Sequence, residues 1–141
     1  MPNAFKRIDY RTMNGRQQEV FNYQKASAIL ADFGYLTIRL SDDWNGADFV
    51  AQHFETKEFL KVQLKGRLTF DKKYRDKDLY ICFRDGEQGQ WYMYNHQELL
   101  DKVLAEGQIE GTKTWIDKKP YHFPVLSKHL KQLLEPYRLE P

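Results

Sequence analysis

The spacing of apolar residues along this chain changes several times, and each change marks an element. Val20, Tyr23, Ser27 and Leu30, with Ala26, Ile29 and Phe33 beside them, recur at helical spacing. They predict a helix capped by Asn14 and running through Phe33, with these residues on its inward face. Gly34 is placed to end it, because glycine accepts the left-handed conformation that follows a last turn. Residues 35–40 (YLTIRL) then alternate and are rich in β-branched side chains, which predicts a strand. Strands are predicted next at 47–53 and 58–65, where Leu60, Val62 and Leu64 alternate with Lys61, Gln63 and Lys65. Residues 68–77 read as a charged connection, 79–83 (LYICF) as a short buried strand and 85–89 (DGEQG) as a turn. Residues 90–94 (QWYMY) read as a strand pairing back on LYICF. Asn95 is placed to cap a helix over 96–106, with Leu99, Leu100, Val103 and Leu104 inward and Gly107 ending it. Pro124 suits the first turn of a last helix striped by Leu126, Leu130, Leu133 and Leu134 and stopped by Pro136. This order implies an α+β fold, a mostly antiparallel sheet of about four to five strands flanked by helices.

The two strands at 47–53 and 58–65 bring chemistry together. Successive strand side chains point to opposite faces, so Gln63 and Lys65 share one. A short symmetric hairpin centred on Glu55-Thr56 sets Asp48 opposite Gln63. A carboxylate, an amide oxygen and an ammonium then occupy one neighbourhood, which suits metal-assisted phosphodiester cleavage. A hard cation such as Mg²⁺ or Mn²⁺ takes oxygen ligands, usually one or two carboxylates plus waters and substrate phosphate. Asp48, the Gln63 side-chain oxygen and the Leu64 carbonyl are the candidate ligands. Lys65 is the candidate cation for the attacking water or the developing charge.

Composition narrows the setting. The chain has 141 residues, 30% of them charged and 41% hydrophobic, which fits one globular domain. Residues 1–13 form a basic arm, 14–94 the core, and 95–141 a helical, basic and aromatic extension. Net charge is only +2, but 61–77 holds seven basic residues against the acids Asp71 and Asp76. Arg67, Lys72, Lys73 and Arg75 are therefore candidates for backbone phosphate contacts, although Asp71, Asp76 and Asp78 equally suit a solvated loop. Trp44 suits stacking on a base or half-buried packing. The acids of SDDWNG, Asp42 and Asp43, read as turn chemistry rather than as further ligands. No apolar run is long enough to span a membrane, and the N-terminus lacks the apolar core of a signal peptide. The lone cysteine, Cys82, sits in an apolar run and reads as a buried thiol in a reducing cytoplasm. The four histidines show no metal-binding spacing, and no zinc cluster, phosphate-binding glycine loop or Ser-His-Asp set can be assembled.

Asp48, followed by Gln63-Leu64-Lys65 on an apolar strand, resembles the PD-(D/E)XK nuclease superfamily. GADFVA resembles its strand with the metal-binding aspartate, and FLKVQLKGR its hydrophobic (D/E)xK strand. The resemblance covers residues 14–94 and implies an α/β/α nuclease core of the junction-resolving and homing branches. Those branches place a glutamate on the preceding helix, which here implies Glu19. It further implies a Mg²⁺- or Mn²⁺-dependent DNA endonuclease, with DNA as partner and a homodimer where both strands are cut. Two departures stand out. Gln63 holds the position usually given to an acid, as in some branches, and brings no negative charge. Ala47 precedes Asp48 where the name of the motif has proline. A non-catalytic nucleic-acid-binding module and a protein-interaction domain are the competing expectations.

Overall fold

The computed structural model describes residues 4–44, 46–86, 89–106, 121–123 and 125–139. After a 3-10 turn at Tyr10–Thr12, helix α1 spans Gly15–Asp32. Asn14 caps it reciprocally: its side chain accepts from the Gln17 N–H, and the Gln17 side chain accepts from the Asn14 N–H, both at 2.9 Å. Such a capping box satisfies two orphan donors and contributes about 1 kcal/mol. Ala26 and Leu30, one turn apart, are the fully buried positions of α1. Phe33 differs from expectation: it is the C-cap and lies 41% exposed. Gly34 follows with φ +86°, and a side chain there would also strike His53, 2.7 Å away.

The main sheet has six strands, more than the sequence suggests: β1 (Tyr35–Trp44), β2 (Ala47–His53), β3 (Phe59–Lys65), β5 (Tyr80–Arg84), β6 (Trp91–Asn95) and β8 (Arg138–Leu139), in that order across the sheet. All neighbours are antiparallel except β3 and β5, which run parallel at its centre. The expected hairpin register holds, with Phe49 opposite Val62, Val50 opposite Lys61 and Ala51 opposite Leu60. β1 runs four residues past the predicted strand. Asp42 and Asp43 therefore lie in a strand rather than in a turn, within the register shift between Arg39 and Trp44.

One sheet face packs on α1, where Ala26 and Leu30 meet Phe49, Ala51, Leu60, Val62 and Cys82. The other carries Ile81, Phe83, Tyr92 and Tyr94 under α2 (His96–Ala105) and α3 (Lys128–Leu134). Each fully buried large apolar side chain contributes roughly 1.5–3 kcal/mol. Asn95 caps α2 as expected, and Glu106 is its C-cap; Gly107 lies outside the described residues. α3 begins later than predicted, capped by Ser127 with Leu126 before it, and a 3-10 turn holding Pro136 follows. Pro124 is outside the described residues.

The charged connection is also more structured than its composition suggests. Its first residues form β4 (Leu68–Phe70), wholly buried and paired with β7 (Tyr121–Phe123). A 3-10 turn at Lys72–Tyr74 follows, with Tyr74 buried. Two buried polar side chains hold this segment. The Tyr94 hydroxyl donates to the Thr69 carbonyl at 2.7 Å, and His96 Nε2 accepts the Asp71 N–H at 3.1 Å.

Candidate functional site

β2 and β3 part company at Asp48. Their ladder runs only as far as Phe49 and Val62. Just beyond, the Leu64 N–H donates to Asp48 Oδ2 at 2.8 Å. A carboxylate thus takes a backbone donor where the strands separate. β3 continues on its other side, where Gln63, Leu64 and Lys65 pair with Ile81, Cys82 and Phe83 of β5. The strand end carrying Gln63 and Lys65 is therefore anchored by the sheet centre.

Chain geometry upstream of Asp48 depends on glycine. Gly46 adopts φ +88°, and a Cβ there would lie 3.2 Å from the Tyr74 ring and 3.3 Å from Leu79. Only glycine turns the chain into β2 this close to the Tyr74 ring.

The separated strands form one wall of a cleft of about 800 Å³. That wall holds Ala47, Asp48, Gln63, Leu64 and Lys65; α1 supplies Arg16, Glu19, Asn22 and Tyr23, and β1 supplies Arg39, Leu40, Ser41 and Asp42. Asp48, Gln63 and Lys65 are half-buried, whereas Glu19 is exposed. All five positions singled out from sequence for catalysis or metal binding, Glu19, Asp48, Gln63, Leu64 and Lys65, line this one cleft. Among the described residues no three His, Cys, Asp or Glu side chains gather into a metal cluster. Any cation here would draw on the Gln63 amide and backbone oxygen as well as on carboxylates.

Lys65 Nζ lies 5.6 Å from the centroid of the Tyr74 ring, and Lys73 Nζ lies 5.1 Å from the same ring. Contacts of this kind contribute about 0.5–1 kcal/mol where exposed and more where desolvated. Lys65 also acts at a distance: burial, and then the Arg67 and Lys65 charges, hold His122 below the ordinary histidine range. His122 accepts or donates at Nδ1 with Thr69 Oγ1, 2.9 Å away.

The expected phosphate contacts lie apart from the cleft lining. Arg67 is exposed and borders a separate hollow with Leu68, Phe83 and Asp85. Lys73 stands 3.8 Å from the Asp71 carboxylate, Lys72 is half-buried, and Arg75 is exposed. Trp44 ends β1 opposite Ala47. Asp42, read from sequence as turn chemistry, lines the cleft, and Arg16 and Arg39 escape the sequence reading of the site. Their signals were the helical spacing of Arg16 with Glu19 and Tyr23, and the strand alternation of Arg39 with Thr37.

No protein-family model matches this chain, and no curated protein matches it. Among solved structures, a bacterial homing endonuclease is similar, with 16% identity and a TM-score of 0.49 over 89% of this chain and 87% of that one. At that identity and score the likeness is faint. No helix among the described residues is long and apolar enough to cross a membrane.

Proposed function

We propose that the cleft hydrolyses DNA phosphodiester bonds with a divalent cation, Mg²⁺ or Mn²⁺. One observation carries this reading: Asp48, Gln63 and Lys65 meet at the separated end of β2 and β3, in the same cleft as Glu19. The resemblance of Asp48 and Gln63-Leu64-Lys65 to the PD-(D/E)XK pattern supports it. The donor set suits a hard cation. Its atoms are oxygens from two carboxylates, an amide and the Leu64 carbonyl, and Mg²⁺ takes one or two carboxylates beside waters and phosphate. When bound, the ion would lower the pKa of a coordinated water and neutralise charge growing on the phosphate oxygens.

The chain supplies the rest. The Leu64 N–H orients the Asp48 carboxylate at one oxygen. Lys65 presents an ammonium to the attacking water or to the pentacovalent charge. Glu19 provides negative charge that Gln63 lacks. Arg67, Lys72, Lys73 and Arg75, away from the cleft lining, offer further phosphate contacts, and Trp44 offers stacking. A cut through both strands takes two such clefts, so the working form is a homodimer, and gel filtration with and without DNA tests it. A reducing cytoplasm suits Cys82, fully buried with its thiol pushed up to about 12 by burial.

The test is nicking of supercoiled plasmid in Mg²⁺. The protein should nick, and Asp48→Asn should not; equal nicking by both sinks the assignment. Gln63 favours one second reading, a DNA-binding module without catalysis, which binds plasmid and leaves it intact in both Mg²⁺ and Mn²⁺.

A further inference from the structure

The cleft has a second wall on which the cleavage roles use Glu19 alone. Arg16, Glu19 and Tyr23 sit at i, i+3 and i+7 of α1, hence on one helix face, and all line the cleft. Arg39 reaches that wall from β1, its guanidinium carbon 5.5 Å from the centroid of the Tyr23 ring. The ring is held in place: the Tyr23 hydroxyl is 2.9 Å from Thr37 Oγ1, which lies 2.6 Å from Ser27 Oγ. Both arginines are exposed, and among the described residues no ion pair joins either to an acid. Lys73, by contrast, already faces Asp71.

A strand entering this cleft meets three carboxylates, Glu19, Asp42 and Asp48. Its phosphates are repelled unless fixed cations share the concave surface. Guanidinium suits that task better than ammonium, because its planar fork binds two phosphate oxygens and its face can rest on a ring at the same time. We propose that Arg16 and Arg39 form a phosphate clamp on the α1 wall, holding the DNA backbone on either side of the bond presented to Asp48 and Lys65. The clamp rests on the nuclease reading above and specifies where in that cleft the strand is held.

Fluorescence anisotropy on a labelled duplex, without divalent metal and across a salt series, tests the clamp. The variants are Arg16→Gln/Arg39→Gln, Arg39→Lys and Lys72→Gln/Lys73→Gln, each checked by circular dichroism for an unchanged fold. The double arginine variant should bind at least about tenfold more weakly at low salt. It should also lower the slope of log affinity on log salt by nearly two, roughly 0.9 for each phosphate no longer neutralised. Arg39→Lys should keep the slope and lose affinity, since charge remains and the fork does not. Unchanged affinity and slope in the double arginine variant overturn the clamp while leaving the nuclease reading in place. A loss confined to Lys72→Gln/Lys73→Gln does the same. Failure of the unaltered protein to bind at the lowest salt overturns both.

Discussion

Two polar regions border residues 63–75 and put similar side chains to different uses. In the buried one, Thr69, Asp71, Tyr94 and His96 are almost wholly shielded, and all their side-chain hydrogen bonds but that between Thr69 Oγ1 and His122 Nδ1 run to the backbone of residues 67–73. Tyr94 both donates to the Thr69 carbonyl and accepts its N–H, so one hydroxyl replaces two strand hydrogen bonds. In the cleft, Asp48 turns a carboxylate oxygen to the Leu64 N–H, and Gln63, Lys65 and Glu19 line the open cleft. Polar groups that close a backbone serve the fold, whereas polar groups gathered around a concavity remain open to a ligand. Burial separates the two cases, and residue type does not.

Substitutions should divide along that line. The largest effect is expected from Asp48→Asn, which keeps an acceptor for the Leu64 N–H and removes the charge. Plasmid nicking should fall by about a thousandfold, near 4 kcal/mol in the barrier. Urea unfolding should shift by less than about 1 kcal/mol. Lys65→Ala should behave alike.

His96 comes next. Burial lowers its pKa to about 4, against a weaker upward pull from Asp71. Nε2 accepts a hydrogen bond, so the ring is neutral with its proton on Nδ1, which has no partner among the described residues. The unfolded chain takes up a proton near pH 6.5 while the folded one resists it. Stability is therefore complete above about 6.5 and drains as pH falls toward about 4, on the order of 3 kcal/mol in all. Urea titrations at pH 7 and 4.5 measure this, and His96→Gln, which retains an acceptor for the Asp71 N–H, should flatten that part of the profile.

Tyr94→Phe should cost about 1–3 kcal/mol by leaving buried Thr69 groups unpaired, with nicking by the folded protein unchanged. Gln63→Glu should have the smallest effect. The added charge should bring half-maximal nicking at several-fold lower Mg²⁺, close to 1 kcal/mol, and a midpoint that stays put would argue against Gln63 as a ligand.

Much of this was legible from local pattern. The register of β2 and β3 follows from a short turn between two alternating strands, and Asn14, Gly34 and Asn95 announce helix ends by their own chemistry. Features set by distant pairing were not. β4 hides because the charges of 71–77 dominate its neighbourhood, while its partner lies some fifty residues away at Tyr121–Phe123. The parallel pairing of β3 with β5 leaves no turn signal. SDDWNG has turn composition, yet pairing of Trp44 with Ala47 carries β1 through the acids. The strand side of the cleft could be read because one hairpin supplies it. Its α1 and β1 side could not, because Arg16, Arg39 and Asp42 meet only when a helix packs across the sheet.

Crystals soaked in Mn²⁺ and measured at the manganese absorption edge test the central claim most directly. An anomalous peak in contact with Asp48 and the Gln63 side-chain oxygen, absent from Asp48→Asn crystals, is the expected result. At saturating Mn²⁺, a cleft with no peak, or a peak that survives Asp48→Asn, would contradict it.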